Sequence, residues 1–281
     1  MKRIYSVLLF VFVAGQALAL AVGWQFILQQ LSVVENPDDV GNAVNFLAYV
    51  LVAAVVLLLV LKFYSGKLFF QALEFGLIFF STFLVMGLFA DGDTAMLLGV
   101  AAGAVRFFRP SARYYLIIFS ASVAGALLGA SLGILPAVAF AALLSIYDFL
   151  AVFHTKHMVA LAQGLSSRGA NFSVKITAPA SPAKIGGSKA SKGNKNKGVL
   201  PTESIELGTG DFVIPSMISV SAIKLSLLQA YAAFAGSVLG VLVLLWFLEK
   251  RRGYFPALPP IVGGSLLLLG IATLAKMVLG A

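Results

Sequence analysis

Long apolar runs alternate with short polar segments along the whole chain. Seven runs are long enough to cross a bilayer, because a spanning helix needs about 20 predominantly apolar residues. Two further runs, near residues 93–106 and 207–221, are shorter or interrupted. The seven long runs lie near residues 4–31, 43–62, 68–90, 114–134, 136–160, 222–248 and 256–279. The pattern predicts an all-α membrane protein that crosses the bilayer nine times.

The composition excludes an ordinary soluble domain and several kinds of active site. Hydrophobic residues make up 60% of the 281 residues and charged residues only 11%, whereas soluble domains average about 45–50% and about 25%. The chain has no cysteine, which excludes disulfides, a thiolate nucleophile and a Cys-ligated metal. Its two histidines, His154 and His157, lack the HExxH spacing of a zinc protease. We therefore expect no metal and no other cofactor.

The basic residues lie almost entirely on alternate loops of this nine-span topology. Cytoplasmic loops are enriched in Lys and Arg, so the N-terminus is predicted to be cytoplasmic and the C-terminus outside. The net charge of +9 therefore indicates topology and not a nucleic-acid surface. The basic side holds Lys2, Arg3, Lys62, Lys67, Arg106, Arg109, Arg113, the Lys-rich stretch 156–197, Lys250, Arg251 and Arg252. The opposite side holds Glu35, Asp38, Asp39, Asp91, Asp93, Lys224 and Lys276.

The first apolar run also resembles a secretory signal peptide. Ala17-Leu18-Ala19 offers a small-residue cleavage site after a basic start and an apolar stretch. The run continues to Leu31, however, beyond the usual signal-peptide core of about 7–15 residues. We therefore expect a retained first helix, and the mass of the mature protein would distinguish the two alternatives.

A polar, low-complexity stretch divides the spans into two groups. Residues 178–198 consist almost wholly of Ala, Ser, Pro, Gly, Lys and Asn, which cannot bury enough apolar area to offset the entropy lost on ordering. We predict spans one to six in residues 1–162, a flexible basic cytoplasmic loop in residues 163–205 and spans seven to nine in residues 206–281. The loop is expected to be a solvated linker, with binding of anionic lipid as the alternative.

Two aspartates, Asp148 and Asp211, lie inside predicted spans six and seven, where a carboxylate is costly and usually functional. At ~1.5 Å of rise per residue, Asp148 lies ~12 Å before Lys156 and Asp211 lies ~8 Å after Glu206. The two carboxyl groups therefore fall at a similar depth on antiparallel neighbours and can face each other. Two carboxyl groups that share a proton are the working arrangement of an aspartyl hydrolase.

The backbone beside the second acid is predicted to be accessible and irregular. Gly208 and Gly210 flank Thr209, so two positions before the acid lack a side chain and another chain can approach closely. Residues 256–258, at the start of span nine, are predicted to lie in the same layer. Irregular backbone at membrane depth is tolerated only where it is buried in protein or lines a wet cavity, and peptide hydrolysis requires such a cavity.

Three short motifs occur in a fixed order on these spans. They are Tyr147-Asp148 on span six, Gly208-Thr209-Gly210-Asp211 on span seven and Pro256-Ala257-Leu258 at the start of span nine. Together they resemble the YD, GxGD and PAL motifs of the presenilin and signal peptide peptidase family of intramembrane aspartyl proteases.

The likeness is stronger to one branch of that family. The predicted orientation is that of presenilins, and Phe255 stands where signal peptide peptidases usually have Gln. Thr209 departs from the Leu that is usual in presenilins. The chain is therefore most similar to a prokaryotic, archaeal presenilin homologue.

The resemblance implies a nine-transmembrane-helix presenilin-like fold in the cell membrane and hydrolysis of peptide bonds within transmembrane helices. Asp148 and Asp211 would hold the catalytic water, and an exposed strand edge would hold unwound substrate by β-addition. The expected substrate-binding residues are Tyr147, Gly208, Thr209, Gly210, Pro256, Ala257 and Leu258. No obligate partner subunit is indicated, and the oligomeric state is left open.

Other functions also use intramembrane carboxylates. A secondary transporter or ion-coupled permease would bind ions at these acids, but it predicts an inverted repeat that the sequence does not show. A prepilin-peptidase-like membrane protease has a GxGD aspartate but lacks the PAL segment. Glu74, on span three, belongs to none of the motifs. It is expected to be a protonated or hydrogen-bonded structural group, with a substrate or ion role as the alternative.

Overall fold

The computed structural model describes residues 2–64, 66, 68–155, 173–179, 202–250 and 255–279. Within these residues the chain forms nine α-helices, one π-helical turn and one two-stranded sheet. In chain order they are α1 (Lys2–Leu28), α2 (Gly41–Phe63), α3 (Leu68–Met86), α4 (Gly92–Phe108), α5 (Pro110–Ser131), α6 (Ile134–Leu150), the π-helical turn (Ala151–Thr155), β1 (Ser173–Pro179), β2 (Thr202–Gly208), α7 (Gly210–Ile223), α8 (Leu227–Lys250) and α9 (Leu258–Leu279).

Seven segments of the described chain are helical, long and apolar enough to cross a membrane. They correspond to α1, α2, α3, α5, α6 with its π-helical turn, α8 and α9. The remaining helices, α4 with 17 residues and α7 with 14, coincide with the two short runs of the sequence. The predicted all-α, multi-pass fold is therefore confirmed.

The sixth helix differs at both ends from the predicted span 136–160. α6 begins at Ile134, before Pro136, because the first turn of a helix has backbone N–H groups without intrahelical partners and tolerates proline. Its α-helical geometry ends at Leu150, and the π-helical turn follows directly. Residues 156–160 lie outside the described residues.

One strand lies inside the segment predicted to be a flexible loop, and a second begins in it. β1 and β2 pair in antiparallel fashion, and β2 crosses the predicted boundary between residues 205 and 206. In β1, Val174 and Ile176 alternate with polar residues, a pattern typical of a half-buried strand. The prediction, which rested on the low-complexity composition of the segment, overlooked this short signal. The rest of the predicted loop, residues 163–172 and 180–201, lies outside the described residues.

α7 lies at the centre of the helix packing. It contacts α1, α5, α6, α8 and α9, and residues 214–223 are all buried. α5 approaches it closely at Gly125, where a Cβ atom would lie 2.6 Å from the Cβ of Ser216. A helix enclosed by protein does not have to match the thickness of the bilayer, which accounts for its shortness.

α1 packs along α7 in parallel and forms part of the core. Leu8, Phe12 and Phe26 are fully buried. The ring of Phe12 lies 5.4 Å from the ring of Phe212, the residue that follows Asp211. The first apolar run thus contributes a packing surface next to the second candidate acid.

α8 and α9 are in backbone contact, which predicts a large difference between two adjacent glycines. A Cβ atom at Gly264 would overlap the carbonyl oxygen of Gly236, whereas a Cβ atom at Gly263 would have no neighbour within 4 Å. We expect Gly264→Ala to lower the free energy of unfolding by about 1–3 kcal/mol, because the two helices must separate. Gly263→Ala is the control and should be neutral or slightly stabilising, since alanine favours helix. Thermal unfolding in detergent measures both, and equal stabilities would contradict this packing.

Candidate active site

Asp148 lies near the end of α6, two residues before its last residue. Only 8% of the residue is exposed. The backbone N–H of Leu258, the first residue of α9, donates a hydrogen bond to its Oδ2 over 3.3 Å. The first N–H groups of a helix carry partial positive charge, so the start of α9 favours a carboxylate at this position.

Asp211 lies in the first turn of α7. The backbone N–H of Gly208 donates a hydrogen bond to its Oδ2 over 3.0 Å. The N-terminus of α7 carries partial positive charge, so it favours a carboxylate at Asp211. The N-terminus of α9 has the same effect on Asp148. Each of the two acids thus accepts a backbone N–H, and Asp148 lies against the N-terminus of α9 while Asp211 lies in the first turn of α7.

The helices that carry the two acids are in contact. α6 packs against α7, and α9 packs against both of them. The structure thus places the two acids on helices that pack against each other, although the strands of the hairpin separate them in sequence.

The position of Asp211 along its helix differs from the predicted one. The predicted seventh span began near residue 207, and the depth of Asp211 was counted from Glu206 at the rise of a helix. Glu206 belongs to β2, in which each residue advances about 3.3 Å, and α7 begins only at Gly210. Asp211 therefore lies in the first turn of α7, shortly after the end of β2. The prediction had placed it more than one helical turn inside the span.

The two glycines before Asp211 have different surroundings. A Cβ atom at Gly208 would lie 3.3 Å from Oδ2 of Asp211, whereas one at Gly210 would have no neighbour within 4 Å. Gly210 is exposed, and Thr209 between them is half-buried. The space beside Gly210 is consistent with the predicted approach of another chain, which stays a prediction.

Of the three residues predicted to shape a pocket beside the acids, Leu258 contacts Asp148 through its backbone. Pro256, Ala257 and Leu258 are buried, and the side chain of Leu258 belongs to the main hydrophobic core. The contact with Asp148 is made by the Leu258 N–H. The sequence did not reveal this hydrogen bond. The only signal for it was the predicted start of a helix at residues 256–258, because the first N–H groups of a helix have no intrahelical partners. Tyr147, the neighbour of Asp148, is half-buried and packs against the same core.

This geometry agrees with the sequence comparison. The sequence model of the family described as signal-peptide peptidase, presenilin aspartyl protease matches residues 7–278. The chain belongs to this family. It is therefore an intramembrane aspartic endopeptidase and a multi-pass membrane protein. No curated protein sequence matches the chain.

Solved structures of presenilin-family proteases have the same fold. One, described as a presenilin family intramembrane aspartate protease in space group C222, superposes with a TM-score of 0.69 at 21% identity, over 96% of this chain and 99% of its own. A second, in space group P2, gives a TM-score of 0.65 at 21% identity, over 94% of this chain and 96% of its own. At this identity the likeness concerns the fold.

Outside the aspartate pair, this presenilin-family protease has a buried ionic cluster that the sequence did not reveal. Glu74 of α3 is fully buried, and Nη2 of Arg106 lies 2.6 Å from its Oε2. Nη2 of Arg113 donates to the same Oε2 over 2.8 Å, and Nε of Arg113 donates to Oε1. Nη1 of Arg106 also donates to the carbonyl oxygen of Gln71.

The cluster places its two arginines differently from the prediction. Glu74 was expected to be a protonated or hydrogen-bonded structural group, and it accepts hydrogen bonds from the guanidinium groups of both arginines. Arg106 and Arg113 were counted as loop charges, yet Arg106 lies within α4 with 5% of its side chain exposed, and Arg113 lies within α5. The cluster thus joins α3, α4 and α5, which favours a structural role for Glu74 over a substrate or ion role.

Proposed function

We propose that Asp148 and Asp211 hold a catalytic water between them and hydrolyse peptide bonds within the transmembrane helices of membrane-protein substrates. The observation that carries the proposal is the arrangement of the two acids. They lie on contacting helices, and each accepts a backbone N–H, from the first residue of α9 for Asp148 and from the last residue of β2 for Asp211. The YD, GxGD and PAL segments supply all four of these groups.

The chemistry follows from the proximity of the two carboxyl groups. Two close carboxylates do not both ionise readily, so one is ionised and the other protonated. The ionised group removes a proton from the water as it attacks the scissile carbonyl, and the protonated group donates to the carbonyl oxygen. Collapse of the tetrahedral intermediate transfers a proton to the leaving amine. Because the protons belong to the pair, neither role is assigned to one residue.

The substrate is a helix that must unwind before cleavage, since the hydrogen bonds of a helical amide shield it from attack. β2 leads directly into Gly208 and the Asp211 turn, which puts a strand beside the site. A strand edge can bind an extended segment by adding it to the sheet. We propose that unwound substrate pairs there and passes the open space beside Gly210 on its way to the acids.

The proposal places this activity in the cell membrane and requires no cofactor and no obligate partner subunit. The lipid bilayer and the substrate helix are the partners. Tyr147 precedes Asp148 and is proposed to orient the unwound substrate segment. Residues 256–258 are proposed to form the wall of the substrate site on the α9 side.

The test is cleavage by the purified protein in proteoliposomes. We expect a single-span helical substrate to be cut within its apolar segment, and mass spectrometry of the products locates the bond. A hydroxyethylene isostere of the cleaved peptide bond should bind far more tightly than the substrate, because it resembles the tetrahedral intermediate. Ion-dependent uptake without cleavage would instead favour a transporter, and cleavage only at the membrane surface would favour a prepilin-peptidase-like activity.

A further inference from the structure

A series of aromatic rings borders the site beyond Asp148. These rings have no role in the proposed hydrolysis. Phe149 follows the acid directly, and its ring centroid lies 4.9 Å from that of Phe153 in the π-helical turn. Phe153 meets Phe255 edge to face at 6.1 Å. Phe255 in turn stacks on Phe247 of α8 at 5.5 Å, with the two planes 13° apart. The rings therefore connect the end of α6, the start of α9 and the end of α8.

The contact between Phe153 and Phe255 spans the same two segments as the hydrogen bond between Asp148 and Leu258. Phe153 lies five residues after Asp148, and Phe255 lies three residues before Leu258. The hydrogen bond itself measures 3.3 Å, the long end of the range for N–H···O bonds. A bond of that length depends closely on how the end of α6 and the start of α9 are positioned, and the ring contact lies at the same junction.

The π-helical turn explains how Phe153 reaches α9. The α-helical geometry of α6 ends at Leu150, immediately after the acid, and the wider π-helical turn redirects the residues that follow. π-helical turns occur frequently at functional sites. Here the turn carries the half-exposed ring of Phe153 to Phe255, the residue before the PAL motif.

We propose that Phe153 and Phe255 form a clasp that holds the end of α6 against the start of α9 and thereby keeps the Leu258 N–H on Asp148. This proposal rests on the proposed function. The two phenylalanines are positioning residues, because they act on the acid through Leu258 and not on the substrate. Phe247 supports the clasp from α8 through its stacking on Phe255.

The clasp predicts an effect on turnover and not on substrate binding. An aromatic pair of this kind contributes an energy that corresponds to about a threefold to tenfold change in rate. We expect Phe153→Ala and Phe255→Ala each to lower kcat by about that factor and to leave KM within about twofold. The double variant should lose no more than the larger single variant, because either substitution already opens the clasp.

Phe80→Ala is the matched control. Phe80 is 52% exposed, close to the 48% of Phe153, and lies on α3, which packs mainly against α4 and α5. It should cleave at the wild-type rate. A rise in KM at constant kcat in the Phe153 and Phe255 variants would show that the rings bind substrate, and multiplicative losses in the double variant would show that they act independently. Either result would overturn the clasp.

A reversible covalent link tests positioning directly. The chain has no cysteine, so Phe153→Cys combined with Phe255→Cys offers a single pair of thiols. The reduced double variant should show the low kcat of the alanine variants. A bis-methanethiosulfonate reagent, which joins two thiols through a spacer, should link the two cysteines and restore kcat to within about threefold of wild type, and a reductant should reverse the gain. Linked protein, identified by its mass, whose kcat stays low would overturn the proposal.

Assays of the wild-type protein distinguish failure of the proposed function from failure of the clasp. Absence of cleavage and of isostere binding by the wild-type protein would remove the proposed function. Cleavage by the wild-type protein with unchanged kcat in Phe153→Ala and Phe255→Ala would remove the clasp alone.

Discussion

Replacing either aspartate of the proposed dyad by asparagine is expected to lower the cleavage rate at least about a thousandfold. An amide cannot act as the base or share the proton, so Asp148→Asn and Asp211→Asn each remove the reaction step itself. The side-chain size is kept, and an amide oxygen can still accept the N–H of Leu258 or Gly208. We therefore expect thermal unfolding to change little. Initial rates on a single-span substrate in proteoliposomes measure the effect.

Glu249→Gln is the matched control for loss of a carboxyl group. Glu249 is exposed near the end of α8 and belongs to neither segment of the dyad. It should cleave at the wild-type rate. If Asp148→Asn or Asp211→Asn kept a tenth or more of the wild-type rate, the dyad mechanism would be wrong, and a transporter or a non-catalytic helix-binding role would become the better explanation.

Glu74→Leu is expected to lower the free energy of unfolding by about 3–5 kcal/mol. The substitution leaves the guanidinium groups of Arg106 and Arg113 without their carboxylate, and the side chain of Arg106 is only 5% exposed. An uncompensated buried charge is far more costly than a lost contact, because the charge cannot recover its hydration. Thermal unfolding in detergent gives the loss of stability.

The triple variant Glu74→Leu, Arg106→Leu and Arg113→Leu distinguishes the cost of an unpaired charge from a general loss of packing. Replacing a whole buried ionic cluster by apolar residues is often neutral or stabilising. We therefore expect the triple variant to be more stable than Glu74→Leu alone. A triple variant as unstable as the single one, or a Glu74→Leu variant within about 1 kcal/mol of wild type, would contradict this account.

The Asp148 and Asp211 pair and the Glu74 cluster differ in what their sequence context could predict. Asp148 and Asp211 were recognisable because a carboxylate in an apolar segment is costly and because three motifs surround them. Their partners were not recognisable. The N–H that reaches Asp148 comes from a residue 110 positions away, and the arginines that pair with Glu74 come from 32 and 39 positions away. Such pairings depend on how helices pack and leave no local pattern.

The sequence pattern around β2 was interpreted wrongly, because a short strand pattern lies between a low-complexity stretch and an apolar run. Residues 202–208 form a strand, although the apolar run was assigned to a helix from residue 207. A strand of seven residues carries only a few alternating positions, and the neighbouring low-complexity composition outweighed them. The depth of Asp211 was consequently counted with the rise of a helix in a segment that is extended.

The sequence by itself determined the membrane class, the order of the nine apolar segments and the two candidate acids. Hydropathy and the cost of a buried charge are properties of single residues and short windows, so they can be derived without knowing what packs against what. Only the tertiary structure decided that α9 presents a backbone N–H to Asp148, that two arginines neutralise Glu74, and that rings join α6 to α9. These contacts arise when helices distant in the chain are brought together, and their geometry is set by the packing of the whole bundle.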